Sequence, residues 1–173
     1  MLAKNVEKAL NNQIEAEMAS SQYYLAMASW AETQGFEGVS NFLYRQSDEE
    51  REHMLKLVKY VNERGGSALV PALAEQPNSF ESINDVFSRL LEHEIGISAK
   101  INELIAICLN ERDYTTQNFL QWYVAEQIEE EALARTIMDK LKLIGADKGG
   151  LYLFDRDISS IVVTSAAAAT PMA

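Results

Sequence analysis

Residues that break helices are scarce and widely spaced in this chain, which limits it to a small set of folds. Only eight glycines and three prolines occur in 173 residues. Gly35 interrupts the first half, the Gly65-Gly66 pair ends a second stretch, and Gly145 closes the last. Between these breaks, apolar residues recur at three- and four-residue steps, the period of a helix with one buried face. Helices are predicted over about 5–33, 36–64, 80–109 and 115–144, with a shorter fifth over about 148–159, where Leu151, Phe154 and Ile158 share a face. Asn78 with Glu81 has the form of a capping box before the third helix. The polar run from Asn110 to Tyr114 joins the third helix to the fourth. Residues 1–163 read as one domain, and the Ala-rich tail 164–173 has little to bury and is expected to be flexible.

The link over residues 65–79 carries the topology, because helix–helix connections in bundles usually take only about 2–8 residues. Extended at about 3.3 Å per residue, it reaches roughly 50 Å. The second helix, rising about 1.5 Å per residue, is about 43 Å long. The link can therefore travel the whole length of that helix and start the third at the same end. The expected architecture is all-α, with two antiparallel hairpins joined by one long crossover into a four-helix bundle.

A chain that is 47% hydrophobic and 24% charged can bury one sizeable core and is too apolar to stay disordered. Its net charge of −11 argues against a nucleic-acid partner, since a phosphate backbone needs cationic side chains. No run approaches the roughly 18 apolar residues of a membrane span. Cys108 is the sole cysteine, which excludes an internal disulfide and a Cys-x-x-Cys metal site. With Ile105, Ile107 and Leu109 around it, Cys108 reads as a buried, inert thiol. The opening Met-Leu-Ala-Lys-Asn-Val-Glu-Lys becomes charged at once and lacks a signal peptide's apolar segment, so a cytoplasmic protein is expected.

Each apolar stripe is interrupted near its middle by a side chain able to bind metal. The first carries Leu10, Ile14, Glu17, Tyr24 and Ala31, and the second Leu43, Gln46, Glu50, His53, Leu57 and Tyr60. The third carries Phe87, Leu90, Glu94, Ile97, Ile101 and Leu104, and the fourth Leu120, Tyr123, Gln127, Glu130, Ala134, Ile137 and Leu141. An inward carboxylate is costly unless it is paired or binds a cation. Glu17 to Glu50 and Glu94 to Gln127 are both 33 residues apart, and a shift of 77 relates Glu17 to Glu94, Glu50 to Gln127, His53 to Glu130 and Glu49 to Glu126. Two related hairpins thus each supply half a site, and residues at i and i+3 converge from one helix face. Many carboxylates with one imidazole suit iron or manganese better than zinc. His93 has no such context and is expected on the surface. The Glu49-Glu50 and Glu129-Glu130-Glu131 runs, taken alone, read as solvated helix faces.

Read together, Glu17, Glu50-x-x-His53, Glu94 and Gln127-x-x-Glu130 resemble bacterial non-haem ferritin, over essentially the whole chain outside its tail. The resemblance implies a ferritin-like bundle whose first iron is held by Glu17, Glu50 and His53. Its second iron is shared through Glu50 with Glu94 and Glu130, with Gln127 hydrogen-bonding beside the pair. It also implies a third iron site on Glu49, Glu126, Glu129 and Glu130. On its stripe alone Tyr24 reads as a core tyrosine; the resemblance implies that it hydrogen-bonds near the iron pair and supplies an electron. Trp122 reads as packing. Bacterioferritin, the haem-binding relative, has a methionine where this chain has Arg51, and Met54 reads as packing, so no haem is expected. Gln117 and Leu120 stand where animal heavy-chain ferritins place acidic residues, so an acidic three-fold channel is not implied.

The resulting expectation is an iron-storage ferroxidase. Two Fe(II) ions are oxidised by O₂ or peroxide, and ferric oxyhydroxide collects in a hollow homo-oligomer of 24 subunits, with the fifth helix at its four-fold axis. Its partners are then iron ions and the oxidant, with no nucleic acid and no membrane. A redox enzyme of the same fold, such as a rubrerythrin-type peroxidase, is the rival reading, although the absence of Cys-x-x-Cys pairs removes an attached rubredoxin module. An interaction bundle with an incidental acidic core is the third.

Overall fold

The structure, a computed structural model, describes residues 2–161. The predicted tail 164–173 and the domain boundary at 163 lie outside the described residues. Six helices follow in order: α1 (Lys4–Thr33), α2 (Glu37–Glu63), α3 (Ile83–Asn110), α4 (Tyr114–Phe119), α5 (Gln121–Ile144) and α6 (Lys148–Ile158). No strand occurs among the described residues, and none of these helices is long and apolar enough to cross a membrane.

The first hairpin turns because Gly35 takes φ +81°, a conformation in which a side chain is strained. Gly35 then donates its N–H to the Glu32 carbonyl and Phe36 to the Ala31 carbonyl, each at 3.0 Å, which closes the end of α1. Gly65 and Gly66 close α2 in the same way, onto Asn62 and Val61. The crossover is then tied down along α1. Leu69 donates its N–H to Asn11 Oδ1 at 2.7 Å, and Ser67 to Glu7 Oε1 at 2.8 Å.

Two apolar clusters give the chain directions. One joins the end of α1 (Tyr24, Met27, Ala31) to the starts of α2 (Phe42, Leu43) and α3 (Phe87, Leu90) and the end of α5 (Ile137, Leu141). The other joins the start of α1 (Leu10, Ile14) to the ends of α2 (Leu57, Val61) and α3 (Ile101, Leu104) and the start of α5 (Tyr123). Helices α2 and α3 therefore begin at the same end and run parallel, and the connection over 64–82 spans the bundle as its length requires. Every residue of the four predicted stripes is buried.

Two helix boundaries differ from the sequence expectation. Helix α3 begins at Ile83 rather than near 80, and its cap is Ser82, not Asn78 with Glu81. Ser82 Oγ accepts the Asp85 N–H at 3.1 Å while Asp85 Oδ2 accepts the Glu81 N–H at 3.0 Å. Phe80 stays in the connection because its ring turns inward, 8% exposed, against Trp30 and Tyr23. The predicted fourth helix is divided at Leu120, where Tyr123 donates to the Leu120 carbonyl at 3.0 Å in a tightened turn. No glycine or proline occurs from 114 to 144 to mark that break.

Helix α6 packs against the bundle through Phe154 and Ile158. Its Asp155 accepts the Val39 N–H at 2.9 Å, satisfying one of the free amides at the start of α2. The approach is so close that a Cβ at Gly38 would lie 1.7 Å from the Asp155 carbonyl oxygen.

Candidate metal centre

Between the two apolar clusters lies a layer of polar side chains drawn from the four long helices. Glu17 comes from α1, Glu50 and His53 from α2, Glu94 from α3, and Gln127 and Glu130 from α5; none is more than 6% exposed. The Glu50–His53 and Gln127–Glu130 pairs each sit one turn apart on an inward face. His53 Nδ1 lies 3.5 Å from Glu50 Oε2 and 3.8 Å from Glu17 Oε2. Ligand atoms of Glu17, Glu50 and His53 all fall within 4.8 Å of one another. On the other side, Gln127 Nε2 donates to Glu94 Oε2 at 2.5 Å and to the Glu94 carbonyl at 3.0 Å. The Tyr24 hydroxyl donates to Glu94 Oε1, so both oxygens of that carboxylate are held.

A second group lies alongside the first. Glu49, His53 and Glu126 also bring ligand atoms within 4.8 Å, so His53 belongs to both groups. Gln46 Nε2 donates to Glu49 Oε2 at 3.2 Å. Glu130 is buried with the charges of Glu94 and Glu49 acting on it. Glu129 is exposed and belongs to neither group.

Removal from water dominates the electrostatics of this layer. Burial, followed by the charges of Glu94 and Glu49, pushes Glu130 from 4.5 up to about 9. Burial raises Glu49 to about 7 against the opposing pull of His53. It raises Glu94 to about 6, partly offset by the hydrogen bonds from Tyr24 and Gln127. Glu17 and Glu50 are driven well above the usual carboxylate range by burial, then by the neighbouring charges of Glu50 and Glu94 respectively. At neutral pH these values leave Glu130 protonated and Glu49 about half so, protons that an incoming cation would displace.

The donor set fits that cation. Glu17 Oε2, Glu50 Oε2, both ring nitrogens of His53, Glu49 Oε1 and Glu126 Oε1 are buried with no hydrogen-bond partner. A buried polar atom left unpaired costs about 1–3 kcal/mol, and so many in one layer point to a ligand. Carboxylate oxygens with one imidazole match a first-row divalent ion of the iron or manganese type.

His93, expected on the surface, is instead partly buried. Its Nε2 lies 2.7 Å from Ser20 Oγ, with the Tyr23 and Tyr24 rings 5.4 and 5.6 Å away. Burial in that α1–α3 seam lowers its pKa to about 4. Trp122 stacks on Tyr123 with centroids 4.7 Å apart, under the Lys56 ammonium. Two residues beside the centre lie outside the predicted set. Gln13 donates Nε2 to Glu17 Oε1 at 2.6 Å, and the Tyr123 hydroxyl is 3.5 Å from the same nitrogen. Their signal was position: Gln13 is one turn before Glu17, and Tyr123 one turn before Gln127.

Comparison with known proteins agrees with this fold. The family model described as a ferritin-like domain matches residues 7–144. A probable bacterial non-heme ferritin-like protein of Haemophilus influenzae is 45% identical over 161 residues, 93% of this chain and 98% of that one. The bacterial non-heme ferritin of Campylobacter jejuni is 44% identical over 164 residues, 95% of this chain and 98% of that one. The open pore ferritin of Archaeoglobus fulgidus superposes with a TM-score of 0.91 at 42% identity, covering 93% of this chain and 98% of that one. By its bundle, its buried carboxylate layer and these matches, the chain belongs to the ferritin-like family.

Proposed function

We propose that this protein stores iron, oxidising Fe(II) at the buried centre and depositing the ferric product inside a hollow shell of its own subunits. The observation that carries this reading is the layer of buried, unpartnered carboxylate and imidazole atoms held between two apolar clusters. Glu17, Glu50 and His53 bind the first ferrous ion. Glu50, Glu94 and Glu130 bind the second, and Gln127 keeps Glu94 in place. Each ion gives one electron to O₂ or peroxide. Hard carboxylate oxygens favour Fe(III) over Fe(II), which makes the bound ions easier to oxidise. The carboxyl protons leave as the cations enter, and hydrolysis of the ferric product releases more.

We assign to Tyr24, hydrogen-bonded to Glu94, the role of a further one-electron donor to O₂. We assign a third ion, on its way to the mineral, to Glu49, Glu126, Glu129 and Glu130, of which Glu49 and Glu126 bring ligand atoms together. His53 is common ground between that site and the pair. The relatives named as bacterial non-heme ferritins support the same chemistry. An assembly of 24 subunits in the cytoplasm, without haem, completes the reading.

Native mass measurement after aerobic loading with Fe(II) tests it. The expected result is a particle of about 24 subunits carrying far more iron than its binding sites hold. A monomer or dimer that oxidises iron without retaining it would replace storage with a redox enzyme of the same fold.

A further inference from the structure

Glu17 and Glu94 are related by the 77-residue shift, but their holders are not. Glu94 has a glutamine amide on one oxygen and a buried phenol on the other, from Gln127 and Tyr24. The positions that the shift relates to those two are Glu50 and Ile101, neither an amide nor a phenol. Glu17 nonetheless meets an amide from another place, with a phenol behind that amide. Gln13 donates to its Oε1 at 2.6 Å, and the Tyr123 hydroxyl stands 3.5 Å from the Gln13 nitrogen. Gln13 is 2% exposed and Tyr123 fully buried. This leaves Glu17 Oε2 unpartnered, 3.8 Å from His53 Nδ1.

We propose that Gln13, backed by Tyr123, is a positioning pair for Glu17 and sets how tightly the first ferrous ion is held. The inference rests on the iron reading above. A carboxylate on a flexible side chain loses freedom when it binds a metal, and an outer partner that fixes it beforehand lowers that cost. An amide is a neutral donor, so it orients Glu17 without cancelling the negative charge that attracts the cation. A lysine or arginine in its place would compete with the metal. A groove of about 430 Å³ between α1 and α3, lined by Asn12, Gln13, Ala16 and Leu104 among others, reaches Gln13. Water entering there replaces part of a lost hydrogen bond. The expected effect therefore lies at the lower end of the ten- to hundredfold range for outer partners of metal ligands.

Anaerobic Fe(II) calorimetry on the assembled protein tests the pair, the first site being the one that Glu17→Ala abolishes. Gln13→Leu keeps the shape and removes the donor. It is expected to weaken the first site about tenfold and leave the second within about twofold. Gln127→Leu is expected to do the converse. First-site binding within about twofold of wild type in Gln13→Leu would overturn the proposal, as would equal weakening of both sites, which a general loss of packing produces. Should that variant fail to assemble, Tyr123→Phe decides: about threefold weaker binding at the first site alone supports the pair, and no change overturns it. Wild-type protein that takes up no Fe(II) would instead remove the iron reading itself.

Discussion

Metal-free protein should lose stability as pH rises, and Glu130→Gln should remove a defined share of that loss. Burial holds the Glu130 carboxyl at about 9, whereas in the unfolded chain it titrates near its ordinary 4.5. Between those values the folded state keeps a proton that unfolding releases, so stability falls with increasing pH. One such proton is worth about 1.4 kcal/mol per pH unit, or about 3 kcal/mol from pH 5 to 7. Glu49, at about 7, and Glu94, at about 6, add losses over the lower part of that window. They keep those losses in the variant, because protonated Glu130 and its glutamine replacement are both neutral. Urea unfolding of metal-free protein, followed by helical circular dichroism at pH 5, 6 and 7, gives the comparison. The stability difference should shift in favour of the variant by about 3 kcal/mol across that range. If wild type and variant lose stability in parallel, Glu130 is not a buried neutral acid and the proton account of the centre is wrong.

Three further outcomes check the fold. Ser82→Ala should cost about 1 kcal/mol in the same unfolding assay, while Asn78→Ala stays within about 0.5 kcal/mol. A methyl group at Gly38 would lie 1.7 Å from the Asp155 carbonyl oxygen. Gly38→Ala should therefore push α6 away at a cost of about 2 kcal/mol, and limited proteolysis should cut within 148–158 sooner than in wild type. Cys108 is fully buried, and burial raises its thiol to about 11. A coloured disulfide reagent should modify it only as fast as the protein unfolds, and rapid labelling of folded protein would contradict its packing.

Much of this architecture was legible because it follows from period and length. A stripe such as Leu90, Glu94, Ile97 and Ile101 admits one helical face, and a connection from Gly65 to Ser82 is too long for a tight turn yet long enough to span a helix. The candidate metal residues stood out because a carboxylate on such a stripe needs a partner. What remained hidden depends on contacts between distant segments. The sequence pointed to Asn78 as the cap, whereas the helix starts at Ser82, after Phe80 has turned inward against Trp30. The break at Leu120 has no glycine or proline near it to mark it. Gln13 and Tyr123 lay on legible faces, but an amide one turn from a glutamate has no distinctive pattern until α1 and α5 are brought together. His93 lacked a ligand's spacing and so read as surface, although Ser20 and two tyrosine rings receive it.

Iron storage as proposed requires that the buried layer oxidise ferrous iron with Glu50 shared between two ions. Stopped-flow absorbance after mixing aerobic protein with two Fe(II) per subunit tests it directly, comparing wild type with Glu50→Ala of the same particle mass. Wild type should show a fast oxidation phase that the variant loses, slowing by about a hundredfold or more. A variant that oxidises iron as fast as wild type, or a wild type no faster than buffer, would contradict the account.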